Sequence, residues 1–248
     1  MPDQYLRRIL VREAVDYSQR SPVRNVQSAV TPIIQRWAGS QLVGIFPSGS
    51  FAKHTANASG TDIDLFISLK QDTVQTLKEI YESLFKAMNG HSPKRQNVSI
   101  NVKVNGYDVD LVPAKRQNGF NNDHSLYRRR ADSWTKTDVS KHIIHVLASK
   151  RAEEIRVAKL WRSQKGLDFP SFYLEMTVIE ALRGTTGTLS QNVVKVLEYL
   201  RDRFANARVI DPANTNNVVS DDLNATERTR IGSAAGRDLR DTWENLVK

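Results

Sequence analysis

The stretch Asp62-Ile63-Asp64-Leu65-Phe66-Ile67 sets two carboxylates two residues apart in a run that is otherwise apolar. Side chains of an extended strand alternate between faces, so Asp62 and Asp64 share one face while Ile63, Leu65 and Ile67 occupy the other. Like charges held this close repel, and each resists ionisation unless a cation stands near both. Asp108 and Asp110 repeat the arrangement, with Val109 and Leu111 facing away. If the two strands are neighbours, up to four carboxylates converge on one sheet face, and carboxylate oxygens are the donors magnesium takes. A single Asp-x-Asp is common at strand ends and says little. Two of them, one following a glycine-serine turn, point to a metal site, where two ions about 3.5–4 Å apart can activate a hydroxyl and hold a triphosphate.

Ser48-Gly49-Ser50 precedes the first pair and lies between a short apolar strand, Leu42 to Phe46, and a short helix expected over Ser50 to His54. A glycine there lets backbone approach a phosphate, and a helix start offers free N–H donors to anionic oxygens. Gly49 and Ser50 are therefore candidate nucleotide-binding residues. No Gly-x-x-x-x-Gly-Lys-Ser/Thr stretch occurs, which argues against a P-loop enzyme. The chain has no cysteine, so disulfides, zinc-thiolate sites and cysteine nucleophiles are excluded.

Around this motif the pattern is mixed. Apolar residues recur at helical spacing from Tyr5 to Trp37, interrupted at Ser21-Pro22, with Ser21 a natural N-cap. Asp62 to Leu69 reads as a strand and Gln71 to Met88 as an amphipathic helix. Val98 to Val104 and Tyr107 to Val112 read as a hairpin turned at Asn105-Gly106. From about Val139 the signal becomes helical, with helices expected over Ser140 to Gly166, Ser171 to Arg183, Gln191 to Phe204 and Arg228 to Val247, and a polar loop over Asp211 to Asn217. Trp134, Trp161 and Trp243 read as packing residues, and His142 and His145 as structural or solvated ones.

The formal net charge of +9 favours anionic partners such as nucleotides or nucleic acid, although much of it can be solvated surface. Arg128, Arg129 and Arg130 form the densest basic cluster. Met1 to Arg20 has no apolar stretch of signal-peptide length and no run of about 18 apolar residues occurs anywhere, so a cytoplasmic protein without a membrane partner is expected.

Gly49-Ser50, Thr55, Asp62-Ile63-Asp64 and Asp110-Leu111-Val112-Pro113 together resemble the signature of the DNA polymerase β-like nucleotidyltransferase superfamily. Within it the resemblance is to the branch of 2′-5′-oligoadenylate synthetases, cyclic GMP-AMP synthase-like enzymes and bacterial CD-NTases. The resemblance implies an α+β fold, a polymerase β-type mixed sheet with flanking helices plus a C-terminal helical domain. Residues 1–130 would form the catalytic domain, with its N-terminal helices, and residues 131–248 the helical nucleotide-binding domain. The third carboxylate of the family precedes two apolar residues and a proline, which selects Asp110 and leaves Asp108 a supporting role. Ile155 to Arg162 and Pro170 to Glu175 are similar to the helical segment of these synthases and imply that Lys159 and Ser171 hold the triphosphate. Asp62, Asp64 and Asp110 would bind two magnesium ions, manganese being able to substitute. The implied reaction joins NTPs, ATP among them, into a cyclic or linear oligonucleotide second messenger with release of pyrophosphate. Addition of nucleotides to an RNA 3′ end is the alternative; an RNA acceptor would serve that alternative, and an activating partner would serve the synthase. No Cys/His cluster is present for the zinc-binding insertion of the animal DNA sensors.

Overall fold

The computed structural model describes residues 1–60 and 62–248, and Thr61 of the carboxylate motif lies outside the described residues. The chain divides into two compact units. One gathers Met1–Val15, Thr55–Ser59 and Ile144–Lys248, and the other holds Asp16–His54 and Gly60–Ile143. Helix α1 (Pro2–Arg12) belongs to the first unit and helix α2 (Pro22–Ala38) to the second. As its sequence suggests, Ser21 caps α2, its hydroxyl accepting from the Arg24 N–H at 3.3 Å.

The sheet unit continues with β1 (Leu42–Pro47), the short helix α3 (Gly49–Ala52), β2 (Asp62–Leu69) and helix α4 (Leu77–Ala87). Then come β3 (Lys94–Arg95), β4 (Ile100–Val104), β5 (Tyr107–Arg116), β6 (His124–Arg128) and β7 (Ser133–Thr137). Among the described residues these seven strands form one mixed sheet, ordered β1-β2-β5-β4-β3, with β6 pairing β5 and β7 pairing β6. On one face Ile63, Leu65, Ile67 and Leu69 are at most 5% exposed, and α2 and α4 cover that side of the sheet. Each such side chain contributes about 1.5–3 kcal/mol through burial, which fixes the register because a one-residue slip would expose all four. The opposite face carries Asp62 and Asp64.

The expected helix over Gln71 to Met88 begins only at Leu77. Thr76 stops it with a capping box: its hydroxyl accepts from the Glu79 N–H, and the Glu79 carboxylate accepts from the Thr76 N–H at 2.8 Å. The hairpin turn at Asn105-Gly106 forms as the dipeptide requires, with φ of 50° and 84°. Strands β6 and β7, absent from the sequence reading, form a second hairpin, and the three arginines lie at its turn. There the Arg129 N–H donates to the Asn97 carbonyl and the Arg130 N–H to Asn97 Oδ1, so the exposed cluster is anchored through its backbone.

The helical unit comprises α1, α5 (Val139–Ser149, from Ile144), α6 (Ala152–Gln164), α7 (Ser171–Ala181) and α8 (Leu189–Asp202). The small hairpin β8 (Ile210–Asp211) and β9 (Asn214–Val218), α9 (Ala225–Asp238) and α10 (Trp243–Leu246) complete it. The single helix expected over Ser140 to Gly166 is two, because Lys150 adopts a left-handed φ of 55° that no α-helix interior tolerates. The last helix is likewise divided, and the expected polar loop over Asp211 to Asn217 contains β8 and β9. Trp161, Phe169, Tyr173 and Phe204 are at most 2% exposed and form the aromatic centre of this unit, joined by Leu6, Ile9 and Leu10 of α1. Trp161 is a packing residue whose indole N–H is satisfied by Asp238 at 2.6 Å. Among the described residues no helix is long and apolar enough to cross a membrane.

Candidate active site

Strands β2 and β5 run parallel, and their register pairs Asp62 with Asp108 and Asp64 with Asp110. All four carboxylates therefore project from the same sheet face, on adjacent strands whose backbones lie about 4.8 Å apart. The strand pairing that the sequence left conditional is present. Asp62 is exposed, and Asp64, Asp108 and Asp110 are half-buried.

Gly49 reaches the same place from the other side. The Ser48 N–H donates to the Asp64 carbonyl at 2.9 Å, which pins the turn to the second carboxylate. Gly49 has φ +54°, and a Cβ there would lie 1.7 Å from Asp64 Oδ2. Only glycine fits, both for its backbone and for the space. Gly49 and Ser50 open α3, so the turn brings free backbone N–H groups beside the carboxylates.

The two β5 carboxylates differ in their surroundings. Lys103 donates to Asp108 at 2.6 Å, pairing that charge at the surface. Asp110 instead receives the Asn101 side-chain amide at 2.9 Å. Burial pushes the Asp110 carboxyl above the ordinary carboxylate range; the charges of Asp62 and Asp108 push the same way, while hydrogen bonds from Asn101 and Gln96 oppose them. Such a carboxyl gains from a nearby cation. Among the described residues no three His, Asp or Glu side chains converge closely enough to hold a metal ion as they stand. The donor set nonetheless fits a hard divalent ion: it is all oxygen, mutually repelling and aligned on one face.

Asn101 was not singled out in the sequence, although the signal is there. A two-residue turn at Asn105-Gly106 fixes the pairs Val104 with Tyr107, Lys103 with Asp108 and Asn101 with Asp110. Asn101→Ala should raise the magnesium concentration needed for half-maximal turnover by about ten- to a hundredfold, since groups that orient a ligand carboxylate commonly matter that much. An unchanged magnesium dependence would remove Asn101 from the site.

Lys159 and Ser171 belong to the helical unit. Lys159 is 7% exposed, and its ammonium donates to Glu175 at 2.6 Å and to the Thr55 hydroxyl at 2.9 Å. Thr55 in turn donates to the same Glu175 oxygen at 2.8 Å, and Glu175 is fully buried. The segment Thr55–Ser59 is thus fastened to α6 and α7, and Asn57 adds a bond to the Arg156 carbonyl at 3.0 Å. Lys159→Met should cost about 3–5 kcal/mol in urea unfolding, because it strands the Glu175 charge in the interior. A cost below about 1 kcal/mol, the scale of a surface pair, would contradict the structural part of its role.

Ser171 is the first residue of α7, and its hydroxyl accepts from Arg162 at 2.8 Å. Arg162 also donates to the Phe169 carbonyl at 2.8 Å. Burial lowers the Arg162 pKa, with Glu175 and Asp168 opposing, yet a guanidinium stays charged. A cation therefore stands beside Ser171 at a helix start, an arrangement the sequence reading missed because Arg162 looks like an ordinary helix arginine.

No family profile matches the sequence. Over 179 residues the chain is 26% identical to a cyclic AMP-AMP-AMP synthase of Escherichia coli (strain MS 115-1), a match covering 66% of this chain and 56% of that protein. The chain thus spans little more than half the length of that relative. Among solved structures, the E. coli MS115-1 CdnC:HORMA-deltaN complex aligns with a TM-score of 0.77 at 22% identity, covering 96% of this chain and 89% of that one. The Bradyrhizobium diazoefficiens CD-NTase CdnG in complex with GTP aligns at 0.80 with 13% identity, covering 98% and 91%. At those identities the structural likeness speaks to the fold, and the fold is that of the CD-NTases.

Proposed function

We propose that this chain, a homologue of the CD-NTases on the polymerase β-like nucleotidyltransferase branch, joins NTPs into an oligonucleotide second messenger. The observation that carries the reading is the register of Asp62, Asp64 and Asp110 on one sheet face, with the Gly49 turn pressed against Asp64. A hydroxyl of one nucleotide attacks the α-phosphate of another. A new P–O bond forms, the bond to the bridging β-oxygen breaks, pyrophosphate leaves, and the hydroxyl proton passes to solvent. Asp62 and Asp64 would hold two magnesium or manganese ions, with Asp110 completing the one on the acceptor side. When bound, such ions supply charge neutralisation at the phosphates and lower the pKa of the attacking hydroxyl.

The chain's own groups then act on the substrate's ends. Gly49 admits the phosphates close to backbone, and Ser50 presents its backbone N–H at the start of α3. Lys159, Ser171 and the adjoining Arg162 serve the triphosphate. ATP is the first substrate to test, in keeping with the adenylate product named for the E. coli relative. That name also favours oligonucleotide cyclisation over tailing of an RNA. The HORMA complex of the structural neighbour makes a protein partner the addition to try if the pure chain is silent.

The test is incubation of the full chain with four labelled NTPs and magnesium or manganese, without RNA, followed by phosphatase. A phosphatase-resistant small oligonucleotide, absent with Asp62→Asn, is the expected product. Labelling only of added RNA 3′ ends would replace this reading with nucleotide tailing.

A further inference from the structure

Arg128, the first arginine of the basic cluster, stands on the carboxylate face of the sheet. Strand β6 extends that face beyond β5: His124 pairs with Arg116 in the antiparallel register, and its Nε2 lies 2.8 Å from Ser68 Oγ. Ser68 and Phe66 alternate in step with Asp64 and Asp62 along β2, so all four share a face. Leu126, two residues after His124, packs with Phe66 and Ala114 on that same side. Arg128 is next in the alternation, and β6 is still regular there, pairing Arg128 with Ser133 of β7. Because β6 runs antiparallel to β5, the steps from His124 to Arg128 lead back toward Asp110. Carried forward from the Arg116–His124 pair, the register sets Arg128 level with Val112, ~7 Å along the strand from Asp110.

A second set of contacts ties the same turn to the site. Gln96 hydrogen-bonds Asp110, and its carbonyl accepts from Arg129 Nε at 3.2 Å. The Arg129 and Arg130 N–H groups are held by Asn97 at 2.8 and 3.1 Å. Arg128 is thus fixed through its neighbours, while its own guanidinium is exposed and makes no hydrogen bond or ion pair among the described residues. The acid nearest to it along the chain, Asp132, is taken by Lys78 at 3.0 Å and by the Tyr127 hydroxyl. Adjoining like charges repel, and an anion seated beside them relieves the repulsion.

Across the face the order is β1 with the Gly49 turn, β2 with Asp62 and Asp64, β5 with Asp108 and Asp110, then β6 with Arg128. The donor's triphosphate is claimed at one end by the Gly49 turn. The attacking hydroxyl sits at Asp110, and the acceptor's own phosphates lie one sugar further on. We infer that Arg128 binds the 5′-phosphates of the acceptor nucleotide and so sets its hydroxyl over the carboxylates. A planar guanidinium meets phosphate oxygens with two parallel N–H bonds, which gives orientation as well as charge. The inference rests on the nucleotide-joining reading and deepens it: the acceptor is a nucleotide that keeps its 5′-phosphates, not a bare nucleoside or another uncharged alcohol.

Calorimetric titration of the full chain with α,β-methylene-ATP and magnesium, which bind without turning over, tests this. Wild type should take up two equivalents, one at the donor site and one at the acceptor site. Arg128→Gln should weaken one of them about tenfold or more, the scale of a lost charge-assisted contact, and leave the other as in wild type. Its unfolding temperature should be near wild type, since the side chain bonds to nothing in the chain. Arg128→Lys should recover part of the loss, because it keeps the charge and gives up the paired bonds. Arg130→Gln removes the same charge from the same turn and should leave both sites unchanged. Weakening of both sites alike, of neither, or equally by Arg130→Gln would overturn the inference, as would a single equivalent bound by wild type. Because the readout is binding, a second site that depends on Arg128 in a chain that makes no oligonucleotide would leave the inference standing and remove the synthase reading alone.

Discussion

Asp64→Asn should abolish about a thousandfold or more of turnover while leaving the unfolding temperature unchanged or slightly raised. The substitution is isosteric, so the space beneath Gly49 stays filled, and the hydrogen bond from Ser48 uses the backbone carbonyl of residue 64. What it removes is one negative charge from a face where Asp62, Asp108 and Asp110 stand on the same pair of strands. Without a cation, that lowers repulsion. With one, it removes a ligand. Magnesium should therefore raise the unfolding temperature of wild type and have little effect on Asp64→Asn, as mass action requires of a ligand that binds only the folded state. A variant that keeps near-normal turnover, or that unfolds many degrees earlier, would show that the carboxylate serves the fold instead.

Gly49→Ala should cost about a hundredfold or more in turnover, although it removes no titratable group. The new methyl would lie 1.7 Å from Asp64 Oδ2, and neither atom can stay where it is. The φ of +54° adds strain of about 1–2 kcal/mol for any residue with a Cβ. The carboxylate and the turn must separate, and an angstrom of displacement in a reacting geometry is enough for a loss of this size. Gly106→Ala is the matched control. It has φ +84° with nothing within 4 Å of the added methyl, so it should lose comparable stability and keep its turnover. If both variants lose turnover alike, the effect is strain in the sheet and the close approach to Asp64 is irrelevant.

Much of this site is written in short stretches of chain. The alternation of Asp62 to Ile67 fixes which residues face together, because strand geometry has a period of two whatever lies around it. Asn105-Gly106 fixes the β4–β5 register through φ values only such residues hold cheaply, and with it the partners Lys103 for Asp108 and Asn101 for Asp110. The Ser21 cap of α2 is equally local. The stopping of α4 at Thr76 was just as local, and only the capping box with Glu79 reveals why the apolar residues before Leu77 do not join the helix.

Other features needed the whole fold. Pairing of β2 with β5 joins strands separated by α4 and the β3–β4 segment, and a parallel pair is joined only through such a crossover. Lys159 looks like a solvated helix lysine until Glu175 and Thr55, 16 and 104 residues away, close around it. Arg116 looks like any strand-end arginine until the fold buries its Nε without a hydrogen-bond partner. The sequence by itself determined the faces, the turns and the identity of the carboxylates, since these follow from backbone geometry within a few residues. The tertiary structure decided which faces meet, because contacts between distant segments depend on how the burial of every apolar face is satisfied at once, and no short stretch of chain carries that information.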